Sequence, residues 1–383
     1  MTQDITPITM PKFGLAMTEG KIAGWMVSPD SDIKTGDELV DIETSKITNT
    51  FESPVTGRLR RQVASNGEML PVGALIGVVA DAAVTDADID AFITRFQADF
   101  AASSTDQGAD AKTDEPTTLT VGGHTLRVHD RGEGDEIPLL LIHGFGGDLK
   151  NWMLNQAALA QGRRVIAFDL PGHGGSSKDV GPGTLAFFAE VTVQLLAELG
   201  LTCVHVMGHS LGGGIALTLA HVAPQSVASL TLIAPAGLGP QINMDFITGF
   251  IEADRVRTLQ DVLKYLVHDK TLIGRRMADD VLRYKRLDGA EAALRKVSAA
   301  CFPNGRQGDD LRPVLEATRI PVTLVWGQED EILPVAQSEG LPAGIVRHIL
   351  PDIGHMPQLE AADTLNGLVT TCMKDASLEK TAS

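Results

Sequence analysis

The segment VHVMGHSLGG, residues 204–213, decides the fold of the larger part of this chain. Residues 204–207 form a short β-branched run, and a helix rich in small residues is predicted to begin at Leu211. The glycines at 208 and 212 permit a tight strand-to-helix turn that raises the Ser210 hydroxyl above the edge of a sheet. A GxSxG pattern alone is a weak signal in a chain with 39 glycines. Its position between a strand and a helix makes Ser210 the predicted nucleophile.

Strands alternate with helices on both sides of this segment, from residue 119 onward. Five apolar runs have the length and composition of strands: 139–142, 164–168, 204–207, 230–233 and 321–325. Such alternation predicts a mostly parallel, doubly wound sheet. It lapses at about 237–310, where polar helical sequence predicts an inserted helical cap. We therefore expect an α/β domain over residues 118–376, followed by a tail over 377–383.

A serine hydroxyl needs a base that is itself held by a third group. Among ten histidines, we select His355 as the base, because it lies on a loop just before the last helix. In this type of fold the acid lies between the serine and the histidine, at the carboxyl end of a strand. The segment WGQEDE at 326–331 follows a strand and supplies three carboxylates, of which we select Asp330 rather than Glu329 or Glu331.

A glycine-rich loop, HGFGG at residues 143–147, directly follows the strand-like run 139–142. Such a loop can direct the N–H of Phe145 toward a developing oxyanion, beside the N–H of Leu211. His143 is then a structural residue and not the base. The turn DLPGHG, residues 169–174, follows another strand, and we interpret it as structural too.

The first 80 residues contain an internal near-repeat. A shift of 37 positions matches five pairs of residues: Gly20 with Gly57, Ile22 with Leu59, Ile33 with Leu70, Gly36 with Gly73, and Leu39 with Ile76. Short alternating stretches between glycine and proline are typical of strands. Two similar halves therefore predict a small all-β domain of two sheets over residues 1–80. Lys46 lies near the junction of the halves, where we expect a solvent-exposed tip.

Residues 81–117 connect the two parts and carry nine acidic residues against Arg95 and Lys112. Helical spacing of five apolar residues predicts one amphipathic helix: Ile89, Phe92, Ile93, Phe96 and Phe100. This helix either packs on its own neighbouring domain or docks another subunit. Residues 101–117 are rich in Ala, Ser, Thr and Asp, which predicts a flexible tether.

Composition excludes several classes of function. The formal net charge of −17 argues against nucleic acid as a partner, since phosphate binding needs a basic face. No apolar run approaches the roughly 20 residues of a membrane-spanning helix, and no export signal is visible. Three widely separated cysteines suit a reducing compartment. We therefore expect a cytoplasmic protein.

The motifs HGFGG, DLPGHGGS, GHSLGG, WGQED and GHMPQLE, in this order, resemble those of the α/β-hydrolase family over about residues 119–375. Residues 5–80 resemble lipoyl domains, and ETSK at 43–46 is similar to their attachment site. The resemblance implies that Lys46 is lipoylated. Biotin domains flank the lysine with methionines, whereas this chain has Ser45 and Ile47. Lipoyl domains more often have an acidic residue at the position of Ser45.

Together, the two parts resemble the acyltransferase subunits of acetoin dehydrogenase complexes, which are dihydrolipoyllysine-residue acetyltransferases. The resemblance implies transfer of an acetyl group from dihydrolipoyl-Lys46 to Ser210 and then to coenzyme A. It also implies a thiamine-dependent acetoin-cleaving subunit and dihydrolipoamide dehydrogenase as partners, and a homo-oligomer. One feature departs from related 2-oxo acid dehydrogenase acyltransferases: residues 81–117 are acidic and lack their basic subunit-binding domain.

Two other functions remain open at the level of sequence. The second domain could be an ester or thioester hydrolase with an appended lipoyl domain, because water and a thiol are activated by the same triad. It could instead be a non-catalytic scaffold. An intact serine, acid, histidine and oxyanion loop argue against the scaffold, which has no need of all four.

Overall fold

The computed structural model describes residues 5–11, 19–43, 48–105 and 115–381. The chain divides into two compact units, Met1–Ala111 and Lys112–Ser383. Lys46 and its neighbours at 44, 45 and 47 lie outside the described residues, as do residues 106–114 of the predicted tether.

The small unit is built from short antiparallel strands. Its described residues contain eight of them: β1 (Ile5–Thr9), β2 (Glu19–Trp25), β3 (Ser31–Ile33), β4 (Glu38–Glu43), β5 (Thr48–Glu52), β6 (Gly57–Gln62), β7 (Met69–Pro71) and β8 (Leu75–Ala80). They form two four-stranded sheets, ordered β1-β8-β6-β3 and β5-β4-β2-β7. Apolar residues from both sheets, including Ile8, Ile22, Ile42 and Leu59, share one buried cluster. The predicted all-β sandwich is confirmed.

The internal repeat of the sequence is also a repeat of structure. A shift of 37 residues moves β4 onto β8, and these strands hold equivalent inner positions in the two sheets. It also moves Gly36 onto Gly73, whose φ angles are +93° and +86°. Glycine adopts this left-handed conformation without steric cost, so each half uses the same turn before the equivalent strand.

The helix α1 (Asp86–Thr105) packs on the small unit. Its buried Ile89 joins an apolar cluster with β8, and Phe92 and Phe96 pack against that cluster. Arg61 forms ion pairs with Asp86 at 3.5 Å and Asp90 at 3.3 Å. The interpretation that this helix packs on its own neighbouring domain is confirmed. The helix runs to Thr105, however, so residues 101–105 are helical and not part of a flexible tether as we expected.

The large unit is organised around one eight-stranded sheet, ordered β16-β15-β14-β13-β11-β12-β10-β9. The strands are β9 (Thr117–Val121), β10 (His124–Arg131), β11 (Leu139–Ile142), β12 (Val165–Phe168), β13 (Val204–His209), β14 (Val227–Ile233), β15 (Val322–Gly327) and β16 (Val346–Leu350). The six strands from β16 to β12 run parallel, and β10 and β9 add antiparallel pairs at one edge. The prediction of a mostly parallel sheet is confirmed.

Some helices of the large unit cover the two faces of this sheet, and others form the insertion between β14 and β15. They are α2 (Gln156–Leu159), α3 (Leu185–Glu198), α4 (Leu211–Val222), α5 (Met244–Glu252), α6 (Val256–Leu263), α7 (Arg275–Lys285), α8 (Ala290–Cys301), α9 (Arg312–Ala317), α10 (Pro357–Glu360) and α11 (Ala362–Thr381). Along β11, Leu140 and Ile142 share a cluster with α3 and α4, whereas Leu139 and Leu141 share another with α11. This period of two is expected for a strand that is buried on both faces.

The helices α5–α8 lie between β14 and β15 in the chain, within the region predicted as a cap. Among the helices that the structure describes, none has both the length and the apolar character of a membrane-spanning helix.

Candidate active site

Ser210 lies at the turn between β13 and α4 in a strained conformation, with φ 54° and ψ −117°. Positive φ is costly for a residue with a side chain, so the surrounding structure must hold it. The Ser210 N–H donates to Ile233 O at 2.9 Å, and Ser210 O accepts from the Ala236 N–H at 2.9 Å. A Cβ on Gly208 would overlap the Gly212 carbonyl, and a Cβ on Gly212 would overlap the Ile142 carbonyl. Both glycines of the GxSxG pattern are therefore required by a close approach of the backbone.

His355 and Asp330 are in direct contact, with Nδ1 and Oδ2 2.7 Å apart and side-chain exposures of 2% and 0%. Asp330 Oδ2 also accepts from Trp326 Nε1 at 3.0 Å. Asp330 Oδ1 accepts from the N–H groups of Ile332 and Leu333 at 2.8 and 2.9 Å. A carboxylate can only accept, so the proton of His355 lies on Nδ1, and Nε2 is left with its lone pair.

The other two carboxylates of this loop have different partners. Glu329 Oε2 accepts from the Ile353 N–H at 3.1 Å, and Glu331 Oε1 pairs with Lys270 Nζ at 2.5 Å. The structure thus brings Asp330 to His355 and holds the alternatives elsewhere.

His209 links the turn that carries Ser210 to the loop that carries His355, the histidine loop. Its Nε2 and the backbone oxygen of His355 are 2.8 Å apart, and the two ring centroids are 4.7 Å apart. Burial, together with the neighbouring His355, holds the pKa of His209 well below its ordinary value, so this ring is neutral. The sequence analysis assigned no role to His209, which it named only within the GHSLGG motif. Its position directly before Ser210 was the one signal in the sequence that could have indicated a role at the site.

The glycine-rich loop at residues 143–147, called the oxyanion loop for its predicted role, packs against the turn that carries Ser210. A Cβ on Gly144 would be 3.1 Å from Ser210 Cβ. The Gly144 carbonyl accepts from His143 Nδ1 at 2.8 Å and from the Gly147 N–H at 3.1 Å. Gly146 has a φ of +74°, which completes a tight turn around Phe145. Holding the Gly144 carbonyl on one side turns the N–H of the same peptide, that of Phe145, to the opposite side.

Leu211, the second residue predicted to donate to an oxyanion, begins the helix α4. The first N–H groups of a helix have no acceptor within it, so the Leu211 N–H is available to a ligand.

His143 has structural contacts, as predicted. Its Nε2 accepts from the Leu170 N–H at 3.0 Å, which leaves Nδ1 to donate to Gly144. Burial lowers the pKa of His143 to about 4, and the ring is therefore neutral. Asp169, at the start of the DLPGHG turn, is fully buried and accepts from the Leu149 N–H at 2.7 Å. This turn supports the oxyanion loop from behind.

The cap closes over the oxyanion loop. The Tyr284 hydroxyl donates to Gly146 O at 2.6 Å, and a Cβ on Gly146 would be 2.5 Å from Phe250 Cζ. The Phe145 ring makes edge contacts with Phe250 and Phe302, each with centroids 6.1 Å apart. Sequence reasoning found none of these cap residues, because helical spacing does not reveal which distant loop a cap helix will cover.

Lys46 lies outside the described residues, so the geometry of the predicted attachment site is not part of this structure. The strands on either side of it, β4 and β5, are paired with Glu43 opposite Thr48. In the described residues, no group of three or more His, Cys, Asp or Glu side chains is arranged to hold a metal ion.

Two family models match this chain, one on each unit. The model for the alpha/beta hydrolase fold matches residues 137–362, and the model for biotin-requiring enzymes matches residues 6–79. Among solved structures, the meta-cleavage product hydrolase from Pseudomonas fluorescens IP01 covers 69% of this chain and 99% of its own, with a TM-score of 0.62. At a sequence identity of 23%, this structural likeness shows a shared fold alone.

Two curated relatives span both units. The dihydrolipoyllysine-residue acetyltransferase component of the acetoin cleaving system from Pseudomonas putida is 45% identical over 94% of this chain and 96% of its own length. The component of the same name from Cupriavidus necator is 41% identical over 95% of this chain and 96% of its own length. The chain belongs to the family of dihydrolipoyllysine-residue acetyltransferase components of acetoin cleaving systems.

Proposed function

We propose that this chain transfers an acetyl group from a dihydrolipoyl-lysine residue to coenzyme A, as the acetyltransferase component of an acetoin cleaving system. One observation carries the proposal: the identity of 45% to a component of that name extends over 94% of the chain. It therefore covers the small two-sheet unit as well as the unit with the serine turn. An α/β-hydrolase match alone would not distinguish transfer from hydrolysis.

Lys46 is the proposed attachment residue for lipoate, whose dithiol supplies the sulfur that carries the acetyl group. The repeat symmetry of the small unit and the pairing of Glu43 with Thr48 on either side of residues 44–47 support a carrier lysine here. Attachment to the same chain makes delivery to the large unit intramolecular, so the effective concentration of the acyl donor depends on the connecting segment.

The large unit provides the proposed acyl-transfer groups. His355 Nε2 takes the proton of the Ser210 hydroxyl as its oxygen attacks the thioester carbonyl. The N–H groups of Phe145 and Leu211 stabilise the negative charge that develops on the carbonyl oxygen. His355 then gives the proton to the departing sulfur, which leaves Ser210 acetylated. Asp330 holds the imidazole in the required tautomer and stabilises its protonated form.

The second half uses the same groups in reverse. His355 takes the proton of the coenzyme A thiol, whose sulfur attacks the acetyl group on Ser210. The proton returns to the Ser210 oxygen, and acetyl-coenzyme A leaves. Each half begins and ends with neutral His355, so the enzyme is regenerated without any further reactant.

The relatives' place in acetoin cleaving systems implies a multienzyme complex. A thiamine-dependent acetoin-cleaving subunit is the proposed source of the acetyl group. Dihydrolipoamide dehydrogenase is the proposed partner that reoxidises the dithiol left after transfer. We also propose that the chain forms a homo-oligomer, which sedimentation of the purified protein would test. The cytoplasmic location stays a prediction.

The competing function is hydrolysis, since a serine triad activates water as readily as a thiol, and the solved hydrolase shares this fold. The decisive assay uses the lipoylated full chain with acetyl-dihydrolipoamide, with and without coenzyme A. We expect acetyl-coenzyme A to form faster than acetate is released. Release of acetate at an equal or greater rate in the presence of coenzyme A would make the protein a hydrolase.

A further inference from the structure

Tyr284 is the last but one residue of the cap helix α7, and it is 8% exposed. Its hydroxyl donates to the carbonyl of Gly146, which precedes it by 138 residues, at 2.6 Å. Burial, with Asp148 and Asp169 nearby, raises the pKa of Tyr284 well above its ordinary value. The hydroxyl therefore keeps its proton and remains a hydrogen-bond donor at any physiological pH.

This contact fixes a peptide plane. The peptide unit between Gly146 and Gly147 has its carbonyl held by Tyr284 and its N–H held by the Gly144 carbonyl, at 3.1 Å. A peptide unit is planar, so anchors at both ends determine its orientation. The Gly144 carbonyl in turn belongs to the peptide unit that carries the Phe145 N–H. By fixing the Gly146–Gly147 peptide plane, Tyr284 therefore also constrains the Gly144–Phe145 plane, which carries the proposed oxyanion donor.

The loop needs such an anchor because three of its five residues are glycines. Glycine-rich backbone rotates easily, whereas an oxyanion donor acts only when it is aimed before the charge develops. The Phe250 ring covers Gly146 and limits its position, but an apolar contact does not select the direction of a carbonyl. A hydrogen bond does.

We propose that Tyr284 is a positioning residue for acyl transfer, which sets the direction of the Phe145 N–H by holding the Gly146 carbonyl. This inference rests on the proposed function, in which Phe145 supplies an oxyanion donor. Tyr284 itself does not contact the reacting atoms. His143 Nδ1 is a second anchor on the Gly144 carbonyl, so loss of the tyrosine hydroxyl weakens the alignment without abolishing it.

The test compares Tyr284→Phe with Tyr265→Phe, which removes the hydroxyl of the other tyrosine in the sequence. Tyr265 is also in the cap and half-buried. In the lipoylated full chain, Tyr284→Phe should lower kcat for acetyl-coenzyme A formation by about tenfold, less than the loss of a whole oxyanion donor. The KM for coenzyme A should not change, and Tyr265→Phe should remain within about twofold of wild type.

A second readout separates alignment from general damage. A trifluoromethyl ketone analogue of acetyl-coenzyme A forms an oxyanion on the serine, whereas coenzyme A itself does not. Tyr284→Phe should bind the ketone about tenfold more weakly and bind coenzyme A unchanged, since only the ketone samples the oxyanion site. Placing p-aminophenylalanine at position 284 keeps an N–H donor there and should restore both kcat and ketone affinity.

Three results would overturn the proposal: an unchanged kcat with unchanged ketone affinity, a rise in KM at constant kcat, or p-aminophenylalanine that fails to restore a defective Phe variant. If the melting curve shows that Tyr284→Phe does not fold, the p-aminophenylalanine variant still tests the proposal. The proposal requires wild-type kcat and ketone affinity of that variant, whatever the Phe variant does. Failure of the proposed function is distinct, since the wild-type protein would then release acetate at least as fast as it forms acetyl-coenzyme A.

Discussion

The two units carry their functional residues in opposite ways. The small unit repeats itself in sequence and structure, and its one proposed functional residue, Lys46, belongs to a short local motif. In the large unit the contacts of the site join residues far apart in the chain: His209 to His355 over 146 positions and Tyr284 to Gly146 over 138. A carrier needs one exposed attachment point, whereas a serine catalyst needs several aligned groups within a buried site. A local motif is sufficient for the first function but not for the second.

The largest expected effect is a loss of acetyl transfer that leaves the small unit unchanged. Ser210→Ala should lower acetyl-coenzyme A formation about 10⁴- to 10⁶-fold, as for other serine triads. Lipoylation and the two melting transitions should not change, because the small unit does not depend on that hydroxyl. The measurement is single-turnover acetyl transfer, together with the intact mass. A variant that retains a tenth of the wild-type rate would remove Ser210 from the mechanism.

The next effect tests which carboxylate holds His355. Asp330→Asn should lower kcat by about 10³- to 10⁴-fold, because an amide can donate to Nδ1 and favour the wrong tautomer. Glu329→Gln and Glu331→Gln are matched controls on the same loop, and we expect mild effects since neither contacts His355. All three are compared at one pH. If either glutamate variant is the more damaged, the triad has a different acid.

In the small unit, Lys46→Arg should remove the lipoyl mass increment, because arginine cannot form the amide bond. Acyl delivery within the complex should fall by about 10² or more, since an intramolecular donor is lost. Turnover of free acetyl-dihydrolipoamide by the large unit should continue. Lys21→Arg is the control, because the Lys21 side chain is 42% exposed and pairs with Glu43 at 3.2 Å. An increment that survives Lys46→Arg would disprove the attachment site.

The smallest expected effect is a pH dependence of stability from histidines, which only the large unit contains. All ten histidines lie at or beyond residue 124, so the small unit contains none. Burial lowers the pKa of His143 to about 4 and that of His173 to about 3. The pKa of His209 is also held well below its ordinary value by burial. Stability from these neutral rings is complete above pH 6.5 and is lost as pH falls, because the unfolded chain binds protons that the folded chain does not.

Three carboxyls partly oppose this trend. Burial raises the pKa of Asp148 to about 6 and also raises those of Asp169 and Asp309, so as the pH falls the folded state takes up protons there before the unfolded chain does. The histidines begin to oppose folding at their ordinary pKa near 6.5, above the range in which the carboxyls take up protons, so the free energy of unfolding of the large unit should fall from pH 7 to pH 5. Calorimetry of the full chain at both pH values tests this. A large-unit transition that is unchanged or more stable at pH 5 would contradict it.

Much of the fold could be read from local sequence. The strand at 139–142 and the start of the helix at Leu211 lie where they were predicted, because apolar runs and neighbouring glycines fix these positions locally. The end of α1 was wrong by five residues. Its last turns, 101–105, are poor in apolar side chains, so composition indicated a tether although the helix continues.

By itself, the sequence determined the two units, the strand-to-helix turn at Ser210 and the loops that carry His355 and Asp330. Each of these depends on a few adjacent residues whose backbone preferences are local. Only the tertiary structure decided that Asp330 and not Glu329 meets His355, that His209 holds the histidine loop, and that Tyr284 reaches Gly146. Those contacts depend on how strands and cap helices pack across more than a hundred residues. Periodicity records which face of an element is buried, but not which distant residue it meets there.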